Sequence, residues 1–139
     1  MQIQPYLFFQ GRCEEAVEYY KKHLGAKQGR LVRYQDSPEP PPPGMVPPGG
    51  KLKIMYTELS VGETQIFACD DATGKITGFQ GFRLSLSVAT ESEAKRAFAA
   101  LANGGEVNMP LAKTFFSPCF GMLKDRFGVG WMIIVPAES

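Results

Sequence analysis

The fold is decided by residues 108–134, which read NMPLAKTFFSPCFGMLKDRFGVGWMII. Two apolar runs in this part of the chain, 119–125 and 129–135, flank the short sequence DRFG at 125–128. Runs of β-branched and aromatic residues on either side of a tight turn predict a β-hairpin. A third strand is predicted directly before the hairpin, at 106–115. The chain is therefore expected to end in three consecutive strands.

The chain repeats one pattern at an offset of 78 residues, in which an extended run leads into a helix that ends at glycine. Acidic residues early and basic residues late predict the first helix, which ends at Gly25. Thr90 and Glu93 form a capping box that predicts the start of the second helix, which ends at Gly104. The order strand, helix, three strands is thus predicted to occur twice. In the first copy the three later strands are predicted at 27–34, 53–61 and 65–69.

The length of 139 residues fits a single domain of the α+β class, made of two repeated modules at about 1–72 and 79–139. The first module contains a low-complexity segment at 36–50, which holds seven of the eleven prolines. Proline has no amide N–H and cannot donate to a strand ladder. This segment is therefore predicted to form an extended or mobile loop between two strands.

Composition and charge restrict the classes of partner. Fifteen Lys and Arg oppose fourteen Asp and Glu, and the formal net charge of +1 predicts neither nucleic acid nor an anionic membrane as a partner. No apolar run approaches the roughly 20 residues of a membrane helix, and no signal peptide is recognisable. Three cysteines without a CxxC pair are typical of reduced thiols. A cytoplasmic protein is expected.

Short motifs occur in order along the chain: PYLFFQG at 5–11, MYTEL at 55–59 and DRFGVGWM at 125–132, with Gly25-Ala26 and Gly81-Phe82 between them. Together they resemble the PhnB-like branch of the vicinal oxygen chelate (glyoxalase/bleomycin resistance/dioxygenase) superfamily. The resemblance covers nearly the whole chain apart from the proline loop. It implies two βαβββ modules whose mixed sheets curl around a shared cavity, with the helices outside, and it implies a homodimer.

The resemblance also suggests which residues face the cavity. In the strand at 81–88, Arg83 and the two serines alternate with apolar residues, which is the pattern of a strand between a helix and a cavity. By the 78-residue offset, the first strand is expected to present three residues to the cavity: Pro5, Leu7 and Phe9.

Metal-dependent members of this superfamily hold a divalent ion with His, Gln or Glu on the first and last strands of each module. Carried over by position, these sites fall on Pro5, Arg83, Met132 and a position at or near Phe67. None of these side chains is a usual ligand for such an ion. The single histidine, His23, lies on the first helix, and Tyr56 stands where many PhnB-like sequences have His. No metal and no other cofactor is therefore predicted.

An oxygen-only site for Mg²⁺ or Ca²⁺ that uses Glu58 and Asp125 stays open as an alternative, because such ions bind carboxylates. The competing interpretation makes Glu58 a charge on the strand surface and Asp125 a turn-forming residue.

Six residues are candidates for ligand binding: Arg83, Tyr56, Glu58, Phe67, Phe116 and Met132. Arg83 in a concave position would pair with a carboxylate or phosphate, and its alternative role is a salt bridge, for example to Glu58. Tyr56 and Glu58 alternate on one strand face, so they are the candidates for an acid and base pair. Phe116 is a candidate for the cavity rim, with core packing as its alternative.

The expected function is metal-independent binding of a small organic ligand, an anionic one where Arg83 contacts it. Two alternatives stay open: a metal-dependent lyase, isomerase or dioxygenase with an unusual site, and a resistance protein that sequesters an antibiotic. Some members of the branch are labelled ubiquinone-pathway methyltransferases, but no GxGxx loop joins a predicted strand to a predicted helix here. Whether the chain is an enzyme, and which ligand it takes, are questions that the sequence leaves open.

Overall fold

The structure is a computed structural model that describes residues 1–39, 42, 44–47 and 49–137. The order of its elements is strand, helix and three strands, twice, as predicted. The predicted and observed strand ends agree to within three residues. The elements of the first half are β1 (Tyr6–Phe9), α1 (Cys13–Leu24), β2 (Lys27–Arg33), β3 (Ile54–Val61) and β4 (Thr64–Asp70). Those of the second half are β5 (Leu84–Ser87), α2 (Glu91–Ala102), β6 (Glu106–Ala112), β7 (Cys119–Lys124) and β8 (Gly130–Val135).

The chain divides into two compact units, 1–77 and 78–139. Each unit has a four-stranded mixed sheet, with the strand order β1-β4-β3-β2 in the first and β5-β8-β7-β6 in the second. The first strand of each unit pairs in parallel with the last, and the other neighbours are antiparallel. The helix of each unit packs against its own sheet. The predicted α+β class is confirmed.

Helix α1 is capped at its end by a residue next to it in the sequence and at its start by a residue far along the chain. It ends where Gly25 adopts a left-handed backbone with φ of 66° and donates to the carbonyl of Tyr20, which is the usual role of a glycine C-cap. At the other end, no side chain of the neighbouring residues caps the helix. Instead, the Cys13 N–H donates to Oδ1 of Asp70, a buried residue of β4, at 2.9 Å. A carboxylate here also suits the positive end of the helix dipole.

Helix α2 begins with the predicted cap. The Glu93 N–H donates to Oγ1 of Thr90 at 3.1 Å, which satisfies one of the amide groups that a helix start leaves without a partner. The buried stripe of the helix consists of Ala94, Ala97 and Leu101.

We expect Thr90→Ala to lower the free energy of unfolding by about 1 kcal/mol, because the Glu93 amide loses its acceptor. Urea unfolding followed by circular dichroism measures this difference. Ser92→Ala is the matched control on the same turn, since Ser92 is exposed, and its effect should stay within about 0.5 kcal/mol. Equal effects of the two substitutions would show that the cap does not stabilise α2.

The two faces of the first sheet are clearly distinguished. Asp70 contacts the start of α1 and pairs in register with Phe9, so both lie on the face that α1 covers. Leu7 and Phe9 are only 1% and 2% exposed, whereas Tyr6 and Phe8 are 41% and 42% exposed on the opposite face. The prediction that Leu7 and Phe9 face the cavity side is therefore wrong.

The error has a physical cause in the connection between strand and helix. In the second sheet, Leu86 pairs with Ile133, and Ile133 pairs with Gly121 beneath the Phe98 ring of α2, so Leu86 faces the helix. In the first unit the helix starts four positions after Phe9, the last helix-facing residue of β1, whereas in the second it starts five positions after Leu86, the last helix-facing residue of β5. The 78-residue offset therefore aligns the helices, while the alternation of the strands is shifted by one residue and exchanges the two faces.

The proline-rich segment leaves the sheet after β2 and returns to it at β3. Its base is closed by two backbone hydrogen bonds, from the Tyr34 N–H to the Lys53 carbonyl at 3.1 Å and from the Gln35 N–H to the Lys51 carbonyl at 2.9 Å. The described prolines of the segment lie outside the strands, and Pro40, Pro41, Pro43 and Pro48 lie outside the described residues. Within the described part of the chain, no helix is long and apolar enough to cross a membrane.

Candidate functional site

An aromatic cluster covers the face of the first sheet opposite α1. The Tyr6 ring centroid lies 4.9 Å from that of Phe8, 5.8 Å from that of Phe67 and 6.4 Å from that of Tyr56. The cluster arises because Tyr6 and Glu58 both pair with Phe67 across neighbouring strands, so these side chains point the same way. Three of the predicted site residues, Tyr56, Glu58 and Phe67, thus lie together in the first unit.

Tyr56 and Glu58 form a hydrogen-bonded pair. The Tyr56 hydroxyl donates to Oε1 of Glu58 at 2.7 Å, and the Arg30 backbone N–H donates to Oε2 at 3.3 Å. Gly29 leaves room for this carboxylate, because a Cβ there would lie 2.8 Å from Oε2. The hydrogen bond to Glu58 raises the pKa of Tyr56, so the phenol stays protonated at neutral pH. The Tyr56 proton is thus directed at the Glu58 carboxylate within β3. The same carboxylate joins β3 to β2 by accepting from the Arg30 N–H.

A cavity of about 510 Å³ adjoins this cluster in the first unit. Its walls include Tyr6, Phe8 and Cys69 from the sheet, Asp71 directly after β4, and the described residues Glu39, Pro42 and Met45 of the proline-rich segment. The sequence did not identify this cavity, because its walls come from segments that are distant in the chain.

The titratable groups of the sheet wall stay neutral at physiological pH. Burial, together with a smaller contribution from the nearby Cys69, raises the pKa of Tyr6 to about 12. Burial and the charge of Asp70 likewise raise the pKa of Cys69 to about 12. Tyr34, whose hydroxyl donates to the Asp70 carbonyl at 2.8 Å, also has a pKa raised by burial to about 12. The phenols and the thiol therefore add no negative charge to the cavity wall at neutral pH.

The second unit has its own cavity, of about 650 Å³, around Arg83. Its described lining consists of Phe79, Gln80, Gly81, Phe82, Arg83, Lys124, Gly130 and Met132, and contains two cations and no Asp or Glu. Two of the predicted ligand-binding residues, Arg83 and Met132, meet here. Lys124 was missed, although it precedes the predicted turn and alternates with Met122 on β7.

The Arg83 guanidinium group is held in place by hydrogen bonds from one of its three nitrogens, Nη1. Nη1 donates to the Leu123 carbonyl at 2.9 Å and to Oδ1 of Asn108 at 3.1 Å. Gly130 gives the side chain room, because a Cβ there would lie 3.1 Å from Cγ of Arg83. Both hydrogen bonds use Nη1, so Nη2 and Nε are the donors with which Arg83 would meet a ligand.

Phe116 lies apart from the lining of the Arg83 cavity. Its ring makes an edge-to-face contact with Phe120 at 4.9 Å and another with Phe115 at 5.2 Å. Phe120 is buried, while Phe115 is fully exposed. Phe116 thus covers the edge of a core aromatic residue, and its place at a cavity rim stays a prediction.

The donor atoms at the superfamily's metal positions do not fit a divalent ion. Phe67 and Met132 lie on the expected strands, but one has no donor atom and the other has only a thioether. Arg83 is a fixed cation, and the partner of Phe67 on the sheet face opposite α1 is Tyr6 rather than Pro5. Among residues 1–39, 42, 44–47 and 49–137, no group of three or more His, Cys, Asp and Glu could hold a metal.

The alternative oxygen-only site is also opposed by the geometry. Oδ1 of Asp125 accepts from the N–H groups of Phe127 and Val129, and Oδ2 accepts from Nε1 of Trp131. Both oxygens of the Asp125 carboxylate therefore accept hydrogen bonds from donors within the hairpin, which opposes their use as ligands of Mg²⁺ or Ca²⁺. Asp125 is the turn residue that the sequence suggested as the competing interpretation.

Comparison with known proteins settles the family. The sequence profile of a family described as 3-demethylubiquinone-9 3-methyltransferase matches residues 1–134. The chain belongs to this family. Protein YjdN of Escherichia coli (strain K12) is similar to it, with 34% identity over 146 residues that cover 100% of this chain and 98% of YjdN. The crystal structure of PA1353 from Pseudomonas aeruginosa has 42% identity and a TM-score of 0.86, and the match covers 99% of both chains.

More distant structures establish the wider fold of the family. The PhnB protein from Bacillus cereus has 24% identity and a TM-score of 0.76, and the match covers 97% of this chain and 99% of that one. A glyoxylase/bleomycin resistance protein/dioxygenase domain from Frankia sp. EAN1pec has 14% identity and a TM-score of 0.69, over 100% and 94% of the two chains. The PhnB-like branch and the glyoxalase/bleomycin resistance-like fold that the motifs predicted are confirmed.

Proposed function

We propose that this chain binds a small organic anion in the Arg83 cavity without the help of a metal ion. The observation that carries the proposal is the lining of that cavity, in which two cations, Arg83 and Lys124, lie beside apolar surface and no described lining residue is acidic. Small-molecule sites are generally concave and mostly apolar, with a few polar groups that fix the orientation of the ligand. A carboxylate or phosphate joined to an apolar body matches such a site.

The hydrogen bonds of Arg83 support a specific recognition role. The Leu123 carbonyl and Asn108 fix Nη1, so the plane of the guanidinium group is oriented before a ligand arrives. A preoriented guanidinium loses less conformational entropy when it forms a bidentate pair with a carboxylate or phosphate. The neighbouring Phe79 and Phe82 rings, 6.4 Å apart and edge-to-face, supply apolar surface for the rest of the ligand.

The residue chemistry supports a metal-independent mode of binding. A divalent cation beside Arg83 and Lys124 would meet two positive charges, whereas an organic anion is attracted by both. The family description names a methyltransferase, and methyl transfer needs a cofactor that donates the methyl group. The single GxG sequence, at 128–130, leads into β8 rather than into a helix, so it lacks the strand-to-helix setting of a loop that cradles a nucleotide cofactor, and methyl transfer is not part of the proposal.

We expect Arg83→Ala to weaken the binding of small carboxylates and phosphonates by about 10- to 100-fold, because a hydrogen bond to a charged group contributes about 1.5–3 kcal/mol. A thermal-shift screen of such anions first identifies a binder, and isothermal titration calorimetry then measures its dissociation constant. The neutral amide or alcohol analogue of the same compound should lose little affinity from the substitution, because it lacks the charge that Arg83 recognises.

Arg96→Gln is the matched control, because it also removes one Arg but from α2, which covers the other face of the sheet. It should change anion affinity by less than about twofold at 0.15 M salt, where distant exposed charges are screened. Anion affinity that is equal in the wild-type protein and Arg83→Ala would contradict the proposal. A stoichiometric divalent ion that is required for anion binding would contradict its metal-independent part.

A further inference from the structure

The cavity of the first unit differs in character from the Arg83 cavity. Its described lining contains the carboxylates of Glu39 and Asp71 and no Lys, Arg or His. The remaining walls are aromatic rings, thioethers and small polar groups. A small organic anion would meet two negative charges there, so the ligand of this cavity must differ from that of the second unit.

The aromatic wall presents ring surface rather than hydroxyl groups. The Tyr34 hydroxyl donates to the Asp70 carbonyl at 2.8 Å, which fixes that ring. The Tyr6 ring lies beside that of Phe8, with an angle of 31° between the planes. The faces of aromatic rings carry negative charge density and attract cations, most strongly where water is excluded.

The carboxylate of Asp71 adds a fixed negative charge to this wall. The residue is 8% exposed, and its Oδ2 accepts from Oγ1 of Thr73 at 2.8 Å and from the Ile76 N–H at 3.5 Å. Burial raises the pKa of Asp71, but the hydrogen bonds from Thr73, Ile76 and Gly74 outweigh this and lower it, so the group is ionised at neutral pH. Among the salt bridges of the described residues, none includes Asp71. A buried charge without an ion pair is a favourable neighbour for a cationic ligand.

We infer that the cavity of the first unit binds an organic cation, a quaternary or tertiary ammonium group carried on a small apolar body. The ammonium group lies against the rings of Tyr6 and Phe8 within reach of Asp71. The thioethers of Met45 and Met55 line the space for the apolar part. The proline-rich segment then has a role in binding, because its described residues Glu39, Pro42 and Met45 form one wall. This site goes beyond the proposed anion site and lies in the other unit.

A pair of isosteric probes tests the inference on the full chain. Choline and 3,3-dimethylbutan-1-ol have nearly the same shape and differ in the positive charge. Titration of each compound, followed by the NMR signals of the Tyr6 and Phe8 rings, gives both the affinity and the place of binding. We expect choline to bind at least about tenfold more tightly, since cation–π contacts and a carboxylate act only on the charged probe. Equal affinities, or choline binding that leaves both rings unperturbed, would overturn the inference.

Substitutions separate the aromatic and the electrostatic contributions. Phe8→Leu should weaken choline binding by about three- to tenfold, because it removes one aromatic ring from the wall. Glu39→Gln should also weaken choline binding, because it removes one negative charge from the lining. It should not affect folding, since Glu39 is exposed. Phe115→Leu is the matched control, because it makes the same change at a fully exposed position of the second unit. Loss of choline affinity in Phe115→Leu as large as in Phe8→Leu would contradict the assignment. Neither probe is an anion, so the outcome of the choline titration does not depend on whether Arg83 binds anions.

Discussion

Asp70→Ala is expected to lower the free energy of unfolding by about 3–5 kcal/mol, since hydrogen bonds to a charged group contribute about 1.5–3 kcal/mol each. Asp70 is buried, and its two oxygens accept from different elements: Oδ1 from the Cys13 N–H at the start of α1, and Oδ2 from the Ile54 N–H at the start of β3, each at 2.9 Å. Alanine leaves two buried amide groups without an acceptor. Urea unfolding of the variant and the wild type, followed by circular dichroism, measures the difference.

Two further variants make this prediction specific. Asp70→Asn keeps one acceptor oxygen, so its cost should be about half that of Asp70→Ala by the same values. Asp36→Ala removes an exposed carboxylate from the 3-10 turn after β2 and should change the stability by less than about 0.5 kcal/mol. If Asp70→Ala cost no more than Asp36→Ala, the bridging role of the Asp70 carboxylate would be disproved.

Asp70 also illustrates why one helix start was visible in the sequence and the other was not. The cap of α2 lies three residues before the amide that it satisfies, so the motif of Thr90 and Glu93 is local. The cap of α1 lies 57 residues further along the chain, on β4. No local pattern contains that information, because only the parallel pairing of β1 with β4 brings Asp70 beside Cys13.

The strands were predicted because their alternation and their turns are local signals, but the facing of β1 was predicted wrongly. The error at Leu7 and Phe9 came from transferring an offset that holds for the helices to strands whose helix-facing residues stand at different distances from the helix start, four positions in the first unit and five in the second. The burial of these two side chains reflects the packing of α1, a tertiary contact. A change of one residue in a strand exchanges its faces, so a repeat alone cannot fix which side chains meet a ligand.

The candidate site was predicted in part for the same reason. Arg83 and Met132 follow from alternation and from positions carried over from the family, and the structure places both in one cavity. Lys124 and Phe79 join them through the pairing of β7 with β8 and through the segment before β5, which are tertiary features. The cavity of the first unit depends on where the described residues Glu39, Pro42 and Met45 lie relative to β1, and composition gives no information about that placement.

The second large expected effect concerns the hairpin that decides the fold. We expect Asp125→Ala to lower the free energy of unfolding by about 3–5 kcal/mol, because three donors lose one buried carboxylate. Oδ1 accepts from the N–H groups of Phe127 at 2.9 Å and Val129 at 3.0 Å, and Oδ2 accepts from Nε1 of Trp131 at 2.9 Å. The first two bonds close the turn, and the third joins the turn to the core-facing side of β8.

The bond to the indole is tested by a double-mutant cycle with Asp125→Asn and Trp131→Phe. Asparagine keeps an oxygen for the two backbone donors but places its NH₂ group against the indole N–H, where two donors face each other. Phenylalanine removes the indole N–H, so Asp125→Asn should cost about 1–2 kcal/mol less in the Trp131→Phe background. All four proteins are compared by circular dichroism, because Trp131 is the single tryptophan and its fluorescence is lost in two of them. A coupling energy near zero would mean that the turn alone, without the indole, accounts for the stabilising effect of Asp125.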